Sequence, residues 1–453
     1  MKRVMKILLI AVLVLSICAT GVLFYANAAI KMAGDVNGDT KTNNKDLGIL
    51  QQVLNGMGIV VEGDADVNGD TKVNNRDMGT LQQILNNDEK QPKASAVVTS
   101  YVNLGAPAAA RYTSAVQYIS RCAWDMTIHN GRLYIGCGDY DKNTGPTPIY
   151  SAPLSNPSDW REDGVVWDEQ VGRFVDYGGV LTIPGYDPRQ DPENPSENGT
   201  YYELIDGEWK TVDVLPHGLH NFDLAWFEGQ LFAAIGAPGG SSPVVVTDDG
   251  VHYRDLLMYK DGQQVVTEQG GVVRSMNIYV LNDTLYADFW YRSPTSTSAV
   301  FEMYRYNAEE DILEFVADMK QSTHGGKYSA AGLPLWEKAA IGDKMFLTTG
   351  YLYYTSDFES YTQVTLPNDA VAYDMMRVGG RMYILAAHPV DDKYEVAIYS
   401  TTAANPTNLR TEATFTYHMM PNSFAVDADN FFIGMGDWHK GHKDNGTILQ
   451  IKR

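Results

Sequence analysis

One short segment of the chain occurs twice, almost unchanged. Residues 35–56 read DVNGDTKTNNKDLGILQQVLNG and residues 66–87 read DVNGDTKVNNRDMGTLQQILNN, so 16 of 22 aligned positions are identical at an offset of 31 residues. Such similarity at a fixed offset indicates a duplicated structural unit. Whatever this region folds into must therefore contain two equivalent halves.

Each copy spells D-x-N-x-D-x-x-x-N-x-x-D, which is the oxygen spacing of a calcium loop. Side chains would supply ligands at loop positions 1, 3, 5, 9 and 12, and position 7 a backbone carbonyl. The predicted ligands are Asp35, Asn37, Asp39, Lys41, Asn43 and Asp46 in the first copy, and Asp66, Asn68, Asp70, Lys72, Asn74 and Asp77 in the second. Three carboxylates per loop repel one another unless a cation lies between them, so the sequence predicts two calcium ions.

A helix is expected after each loop, because Leu47, Leu50 and Leu54, and likewise Met78, Leu81 and Leu85, follow helical spacing. One helix per loop, with none before it, departs from a complete EF-hand. Over residues 34–87 the duplication and the sequences of the two loops resemble the type I dockerin domain of cellulosomal proteins. Two features differ from that family: loop position 6 is threonine rather than the common glycine, and the module lies near the N-terminus.

The resemblance implies a cohesin domain of a scaffold protein as the partner. In the family, cohesins contact loop positions 10 and 11 and helix positions 17 and 18. These positions correspond to Asn44, Lys45, Gln51 and Gln52 in the first copy and to Asn75, Arg76, Gln82 and Gln83 in the second. Both copies carry nearly the same residues, so either could face the partner. The alternative is a pair of calcium loops that only stabilises a small domain.

The chain begins with basic residues, a long apolar run from Ile7 to Tyr25 and the small-residue pattern Ala26-Asn27-Ala28, so residues 1–28 are expected to be an export signal. An N-terminal anchor is the alternative, and a lipid anchor at Cys18 is a poorer one. After cleavage the protein would be secreted and extracellular, with no membrane contact. Residues 88–95 are polar and are expected to form a linker.

The net charge of −21 argues against nucleic acid or an anionic membrane surface as a partner. Cys122 and Cys137 are the only cysteines beyond the signal, so no disulfide framework can hold this fold, although these two could pair across one hairpin.

From residue 96 to residue 453 the sequence predicts a mainly β fold. Seven strand–turn–strand units recur, with Asn-Gly, Gly-Gly and similar turns spaced 37 to 60 residues apart: 125–138, 172–185, 223–236, 277–289, 338–350, 374–387 and 424–436. Each interval leaves room for two more strands, so we expect a seven-bladed β-propeller, closed by a strand near Ala96. A pair of β-sandwiches or a solenoid is the alternative.

In a propeller, the loops entering the innermost strands and those joining the second and third strands share one face, where pockets form. Entering loops hold Arg121, His220 and Arg274, and second-to-third loops hold Tyr140, Trp290 and Trp438; we expect these to bind a ligand. Gly136-x-Gly-Asp139-Tyr140 recurs as Gly434-x-Gly-Asp437-Trp438, in the first and last units of the ring. Asp139, Asp437 and the neighbouring His439 are therefore the predicted catalytic residues.

Aromatic rings with acids, arginine and histidine suit a sugar ligand. A hydrolase needs two carboxyls, for which Asp139 and Asp437 are candidates, and a lyase needs a base beside arginine. The expected function is a glycoside hydrolase or polysaccharide lyase that acts on plant polysaccharide. A non-catalytic glycan-binding or scaffold-associated propeller is the alternative, and a protein that acts on other proteins is a third. The aromatic–Asp pairs at Asp125, Asp223 and Asp374 favour a structural role in capping adjacent backbone.

Overall fold

The computed structural model describes residues 44–55, 100–139, 144–177, 179–185, 199–212, 220–296, 298–319, 327–328, 334–335, 337–348, 351–437 and 439–453, and the single residues 36, 61, 65, 73, 75, 78, 81, 215 and 218. The expected export signal and the expected linker at residues 88–95 lie outside this part of the chain.

In the duplicated module, helix α1 spans Asn44–Leu54, so it begins within the first predicted calcium loop, whose last ligand is Asp46. Leu50 is fully buried against Leu81, and these two residues are related by the 31-residue offset of the duplication. Val36 and Ala65 complete this small core, and Leu47 and Met78 pack against it. The two copies therefore pack through equivalent positions, as two halves of one module.

The rest of the described chain consists of short strands and 3-10 turns. The first strands are β1 (Val102–Asn103), β2 (Asp125–His129), β3 (Arg132–Gly136), β4 (Thr147–Pro153), β5 (Arg161–Val166), β6 (Val175–Tyr177), β7 (Val180–Pro184), β8 (Tyr201–Ile205), β9 (Glu208–Val212), β10 (His220–Phe227), β11 (Gln230–Pro238), β12 (Val244–Thr247), β13 (Tyr253–Asp255), β14 (Leu257–Lys260), β15 (Gln263–Gln264) and β16 (Val272–Arg274). They are followed by β17 (Ile278–Leu281), β18 (Thr284–Arg292), β19 (Val300–Asn307), β20 (Ile312–Asp318), β21 (Lys327–Tyr328), β22 (Pro334–Leu335), β23 (Glu337–Ile341), β24 (Lys344–Thr348), β25 (Leu352–Thr355), β26 (Thr362–Val364), β27 (Val371–Val378), β28 (Arg381–Val390), β29 (Lys393–Thr402), β30 (Asn405–Tyr417), β31 (Pro421–Val426), β32 (Asn430–Met435) and β33 (Thr447–Lys452). The 3-10 turns are Pro107–Ala110, Ala115–Gln117, Ile119–Arg121 and Pro367–Asp369.

These strands form a propeller-like arrangement, and within the described residues five four-stranded sheets stand as separate blades. They are β2 to β5, β6 to β9, β23 to β26, β27 to β30, and β31 to β33 with β1. The expectation of seven separate blades is therefore wrong. The chain from β10 to β20 forms one eleven-stranded sheet, because β16 pairs with β11 on one side and with β18 on the other.

The ring closes by an exchange between the two ends of this domain. β1 pairs with β33 through Val102 opposite Gln450 and Asn103 opposite Leu449, so the N-terminal strand completes the last sheet, as the sequence predicts. The inner strands of the first and last sheets are neighbours, and the Asn422 amide donates to the Ala123 carbonyl at 2.7 Å. Ring closure thus brings together residues about 300 positions apart in the chain.

Tight turns join the first and second strands of several sheets, which agrees with their sequences. Between β2 and β3, Asn130 and Gly131 adopt φ angles of 47° and 73°. Positive φ at both central positions is the geometry that Asn-Gly hairpins favour, because their twist matches that of the flanking strands. Both faces of β3 are buried: Leu133 and Ile135 pack in one cluster with Ala425 and Phe432 of the last sheet, and Tyr134 packs in a different cluster.

Candidate functional site

A cavity of about 380 Å³ lies on the axis of the ring. It is lined by residues of the first strands of all five separate sheets, together with β10 and β17 of the large sheet. Its charged lining residues are Asp125, Arg173, Asp176, Asp223, Glu337, Lys338 and Asp374. An axial cavity lined by charged groups is where a propeller can bind a polar ligand.

Three aspartates at this cavity connect neighbouring inner strands. The Phe174 N–H donates to Asp125 Oδ2 at 2.6 Å, and the Ile278 N–H donates to Asp223 Oδ2 at 2.8 Å. The Phe424 N–H donates to Asp374 Oδ2 at 2.6 Å. In each case the carboxylate and the amide belong to successive blade units. The expected capping role of these aromatic–Asp pairs is therefore correct, and the backbone that they cap belongs to the following unit.

Asp223 is also the centre of a buried ion cluster. Arg173 Nη1 lies 3.3 Å from Asp223 Oδ1, and the Lys338 ammonium contacts Asp223 Oδ2 and the Ile278 carbonyl. Arg173 Nη2 donates to Asn277 Oδ1 at 2.9 Å. Two cations thus share one fully buried carboxylate, which offsets the cost of removing these charges from water.

The cavity shifts the pKa values of two of its groups in ways that matter for chemistry. Burial and the negative charge of Glu337 raise the pKa of Asp125 to about 7. Burial, and the nearby positive charge of Arg173, lower the pKa of Lys338. A carboxyl that titrates near neutral pH beside a cavity is a candidate proton donor or acceptor. The sequence indicates a role for Asp125 only in capping, and it contains no signal for Glu337 or Lys338.

Three of the predicted ligand-binding residues form one row across the eleven-stranded sheet. His220 lies opposite Gly236, Gly236 opposite Arg274, and Arg274 opposite Trp290. Directly opposed residues point to the same face of a sheet, so the three side chains share one face. We call the set of His220, Arg274 and Trp290 the row platform.

Aromatic and cationic groups are in contact on the row platform. The His220 ring stacks on Phe222 with centroids 5.4 Å apart. The Arg274 guanidinium lies 5.6 Å from the Phe222 ring and 5.9 Å from the Trp290 ring. A second guanidinium, that of Arg292, lies 5.7 Å from the Trp290 ring. The row platform therefore combines a partly exposed indole, an arginine and an imidazole, and Arg292 lies beside it.

Gly236 leaves room for these rings. A Cβ at this position would lie 3.0 Å from His220 Cδ2 and 3.3 Å from Phe222 Cε2, closer than nearly all real contacts. Any larger residue at the centre of the row would require the imidazole or the Phe222 ring to shift by a few tenths of an ångström. The sequence alone does not reveal this requirement, because it depends on the pairing of β10 with β11.

The loops that carry the two predicted catalytic carboxylates meet at residues 120–122. The Gly138 N–H donates to the Ser120 carbonyl at 2.9 Å, and a Cβ at Gly436 would lie 2.9 Å from Cys122 Sγ. Burial raises the pKa of Cys122, and the charges of Asp437 and Asp139 raise it further. Asp139 is buried, and its N–H donates to the Glu169 carbonyl at 2.8 Å. Asp437 is partly exposed, and its Oδ1 accepts the N–H of His439 at 2.9 Å. His439 itself is exposed. Tyr140 and Trp438 lie outside the described residues.

Arg121 lies in the structural framework beneath these loops. Its Nε donates to the Tyr112 carbonyl at 2.7 Å, its Nη1 donates to the Lys443 carbonyl, and its guanidinium lies 4.2 Å from the Tyr118 ring. The side chain is buried. These contacts join the N-terminal 3-10 turns to the loop between β32 and β33, so they favour a structural role for Arg121 over the predicted binding role.

In the duplicated module, Asp46 is the one predicted calcium ligand within the described residues. It is fully buried, and its Oδ1 accepts the N–H of Val36 at 2.9 Å, so the carboxylate reaches back across the loop that it ends. A buried carboxylate at loop position 12 fits a calcium ligand. The other predicted ligands, with Arg76, Gln82 and Gln83, lie outside the described residues. Of the predicted partner contacts, Lys45, Gln51, Gln52 and Asn75 are exposed, and Asn44 is the first residue of α1.

Helices able to span a bilayer, by length and apolar character, were not found in the described part of the chain.

Comparison with known proteins separates the two parts of the chain. The family model of the dockerin type I domain matches residues 33–86. No curated protein matches the chain. Among solved structures, the β-propeller domain of the Trilobed protease from Pyrococcus furiosus has a TM-score of 0.41 and 10% identity, covering 72% of this chain and 96% of that chain.

Two carbohydrate-active enzymes have similar values. An ulvan lyase described as a new family of polysaccharide lyase has a TM-score of 0.39 and 11% identity, covering 80% of this chain and 98% of that chain. An α-L-arabinofuranosidase of Fusarium graminearum has a TM-score of 0.34 and 12% identity, covering 62% of this chain and 94% of that chain. Residues 33–86 are a type I dockerin domain, and the remainder of the described chain is a β-propeller of unassigned family.

Proposed function

We propose that this protein is an extracellular cellulosome component, and that its dockerin, loaded with two calcium ions, binds a cohesin domain of a scaffold protein. The match of residues 33–86 to the type I dockerin family carries this proposal. The buried Asp46 and the exposed Gln51 and Gln52 support it, because they suit a metal ligand and a partner contact respectively. The export signal at residues 1–28 delivers the chain to the outside of the cell.

The propeller, in this proposal, acts on plant polysaccharide through the row platform. Trp290 offers an aromatic face for a sugar ring, and Arg274 and Arg292 offer guanidinium groups for a carboxylate. His220 lies in the same row and stacks on the ring that Arg274 covers. This chemistry favours a polysaccharide that carries uronic acids over a neutral one.

The same arrangement suits β-elimination. A base such as His220 would take the C5 proton of a uronic acid, while arginine neutralises the negative charge that develops on the carboxylate. The C4–O bond then breaks, a C4–C5 double bond forms, and the departing oxygen takes up a proton. Glycan binding without turnover is the alternative role of this surface.

A second candidate is glycoside hydrolysis by Asp139 and Asp437. The observation that favours it is that the loops that carry both carboxylates contact residues 120–122, through Gly138 and Gly436 respectively. Two carboxyls separated by about 5 to 10 Å can supply a general acid and a nucleophile or base. His439, next to Asp437 in sequence, could exchange the second proton.

The experiment is a screen of the full chain, in calcium, against acidic and neutral plant polysaccharides. Binding is measured by affinity electrophoresis, and chain cleavage of either kind by new reducing ends. Elimination adds the ultraviolet absorbance of unsaturated sugars, whereas hydrolysis gives reducing ends without it. We expect binding to acidic polysaccharide, weakened more than about tenfold by Arg274→Ala and by Trp290→Ala, since each removes an anchor of the kind that dominates binding energies.

The matched control is Arg305→Ala, which removes an exposed arginine from β19, where it pairs with Glu314. Binding should be unchanged in this variant. The row platform would be ruled out as the binding surface if neutral and acidic polysaccharides bound equally. Unchanged binding in both Arg274→Ala and Trp290→Ala would rule it out as well. Reducing ends that form without ultraviolet absorbance, and that are lost in Asp437→Asn but not in the row-platform variants, would favour the hydrolase.

A further inference from the structure

Two histidines and an aspartate, residue types that can bind metal ions, meet on loops beside the last sheet, at a site that the proposed function does not use. His418 lies between β30 and β31, and His442 and Asp444 lie between β32 and β33. His418 Nε2 is 3.3 Å from Asp444 Oδ2, and His442 Nδ1 is 3.7 Å from the same oxygen. All three ligand atoms lie within 4.8 Å of one another.

We propose that His418, His442 and Asp444 bind a divalent transition-metal ion of the zinc class. Zinc takes imidazole nitrogen and carboxylate oxygen at about 2.0 to 2.2 Å, so tetrahedral ligands lie about 3.4 Å apart. The two measured distances to Asp444 Oδ2 lie on either side of that value. Calcium, in contrast, takes oxygen ligands, so this site differs in kind from the dockerin loops.

One hydrogen bond would be exchanged for the metal. The Asp444 N–H donates to His442 Nδ1 at 3.2 Å. A ring nitrogen has one lone pair, so an ion bound at Nδ1 replaces this N–H as the partner of that lone pair.

The loop that carries two of the ligands is held by buried contacts. Asn445 is fully buried, and the carbonyls of Tyr118, Asp437 and Lys440, each 3.2 Å from its Nδ2, share its two N–H donors. Thr447 Oγ1 donates to the Asp444 carbonyl at 2.7 Å. Ligands on a loop held in this way need little reordering on binding, which favours affinity.

The three ligands leave coordination positions for water or for another ligand. The side chains of His418, His442 and Asp444 are all about two-fifths exposed, at 44%, 43% and 40%. A zinc ion with three protein ligands keeps a fourth position open, as in sites that bind or activate small ligands. The site is therefore accessible from solvent.

The test measures zinc binding to the full chain in excess calcium, so that calcium occupies the dockerin loops. Equilibrium dialysis with elemental analysis gives the stoichiometry, and cobalt, used in place of zinc, gives a visible absorption band that reports its nitrogen and oxygen ligands. We expect one zinc ion per chain. Asp444→Asn and His442→Ala should each weaken binding more than about tenfold, since even the loss of an outer partner of a ligand costs that much.

His252→Ala is the matched control, because His252 and Asp249 form an exposed pair at 2.7 Å that no third metal-binding side chain joins among the described residues. It should bind zinc as the unchanged chain does. At the third ligand, His418→Gln keeps a polar side chain, so that this variant is less prone to misfold. The thermal melting of each variant shows whether it is folded. The absence of zinc binding in the unchanged chain, or equal binding in all three ligand variants, would overturn the proposal.

Discussion

The Asp374 carboxylate on β27 accepts the N–H of Phe424 on β31 at 2.6 Å, and so connects one blade to the next. Its other oxygen accepts the N–H of Met375, also at 2.6 Å. Asp374→Ala would leave both buried N–H groups without this acceptor. We expect the free energy of unfolding to fall by about 3 kcal/mol, since each lost acceptor costs about 1 to 3 kcal/mol.

Urea unfolding measures this loss, and two variants control it. Asp374→Asn keeps one acceptor oxygen and should lose about half as much. Asp392→Ala changes an exposed aspartate in the β28–β29 turn and should lose less than about 0.5 kcal/mol. Equal stability of Asp374→Ala and Asp392→Ala would show that the inter-blade contact contributes nothing.

Which parts of the fold could be predicted depends on how local their signals are. The paired calcium loops and the hairpin turns are written in contiguous residues, so their spacing suffices. The merging of two blade units was not predictable, because it rests on β16, whose three residues Val272–Arg274 carry no turn or periodic signal. The Thr-x-Asp sequences at 247–249 and 355–357 are a second local signal, because they mark equivalent turns. In each turn the threonine hydroxyl donates to the aspartate two residues later, at 3.1 and 3.2 Å.

How much of the site can be predicted also depends on how local the signals are. The sequence predicts that His220, Arg274 and Trp290 share one face, and the structure has them in one row across the large sheet. It does not indicate His442 or Asp444, because their loop has no strand pattern and because His418 meets them only through the pairing of the last sheet. Arg121 carries the charge of a binding residue, and only its contacts with the Tyr112 and Lys443 carbonyls reveal the structural role.

Asp125 predicts a pH dependence of stability. Its pKa is raised from 3.8 to about 7, so the folded state keeps a proton that the unfolded state releases. The stability contributed by this proton is complete below pH 3.8 and is lost as the pH rises toward about 7. Between pH about 5 and about 8, we expect the unchanged chain to lose stability relative to Asp125→Asn, whose side chain does not ionise.

Urea midpoints at the two pH values measure the effect. Glu337→Gln removes the charge that, after burial, contributes most to raising the pKa of Asp125, so the change with pH should be smaller in this variant. A constant difference between the unchanged chain and Asp125→Asn at both pH values would contradict the raised pKa.

Calcium removal should unfold the dockerin and leave the propeller intact. Each loop carries three carboxylates that repel one another without a cation, and the core around Leu50 and Leu81 is small. In the full chain, a calcium-selective chelator should abolish amide-exchange protection of α1, while β28 and β29 remain protected. Protection of α1 that persists in excess chelator would show that the module folds without metal.

The duplication predicts two modes of docking. Replacing Gln51 and Gln52 with alanine, or Gln82 and Gln83, should weaken cohesin binding by only about a factor of two, the loss of one of two equivalent orientations. Replacing all four should weaken it by more than about a hundredfold, because both surfaces then lack their contacts. Calorimetry with a purified cohesin measures both. Additive losses would show that a single face binds the partner.

The two cysteines of the propeller should remain as unreactive thiols. Cys122 and Cys137 are both free and fully buried, and the Cys137 thiol donates to the Pro148 carbonyl at 3.3 Å. Burial raises the pKa of Cys137 to about 12, and burial with the charges of Asp437 and Asp139 raises that of Cys122, so the reactive thiolate is scarce at both.

Titration of the mature chain with a thiol reagent should find no reactive group in the native state and two in denaturant. Thr416→Cys, which adds a thiol at an exposed position of β30, should react in the native state and serves as the positive control. A mature chain with no titratable thiol even in denaturant would contradict this prediction, because its two cysteines would then be joined in a disulfide.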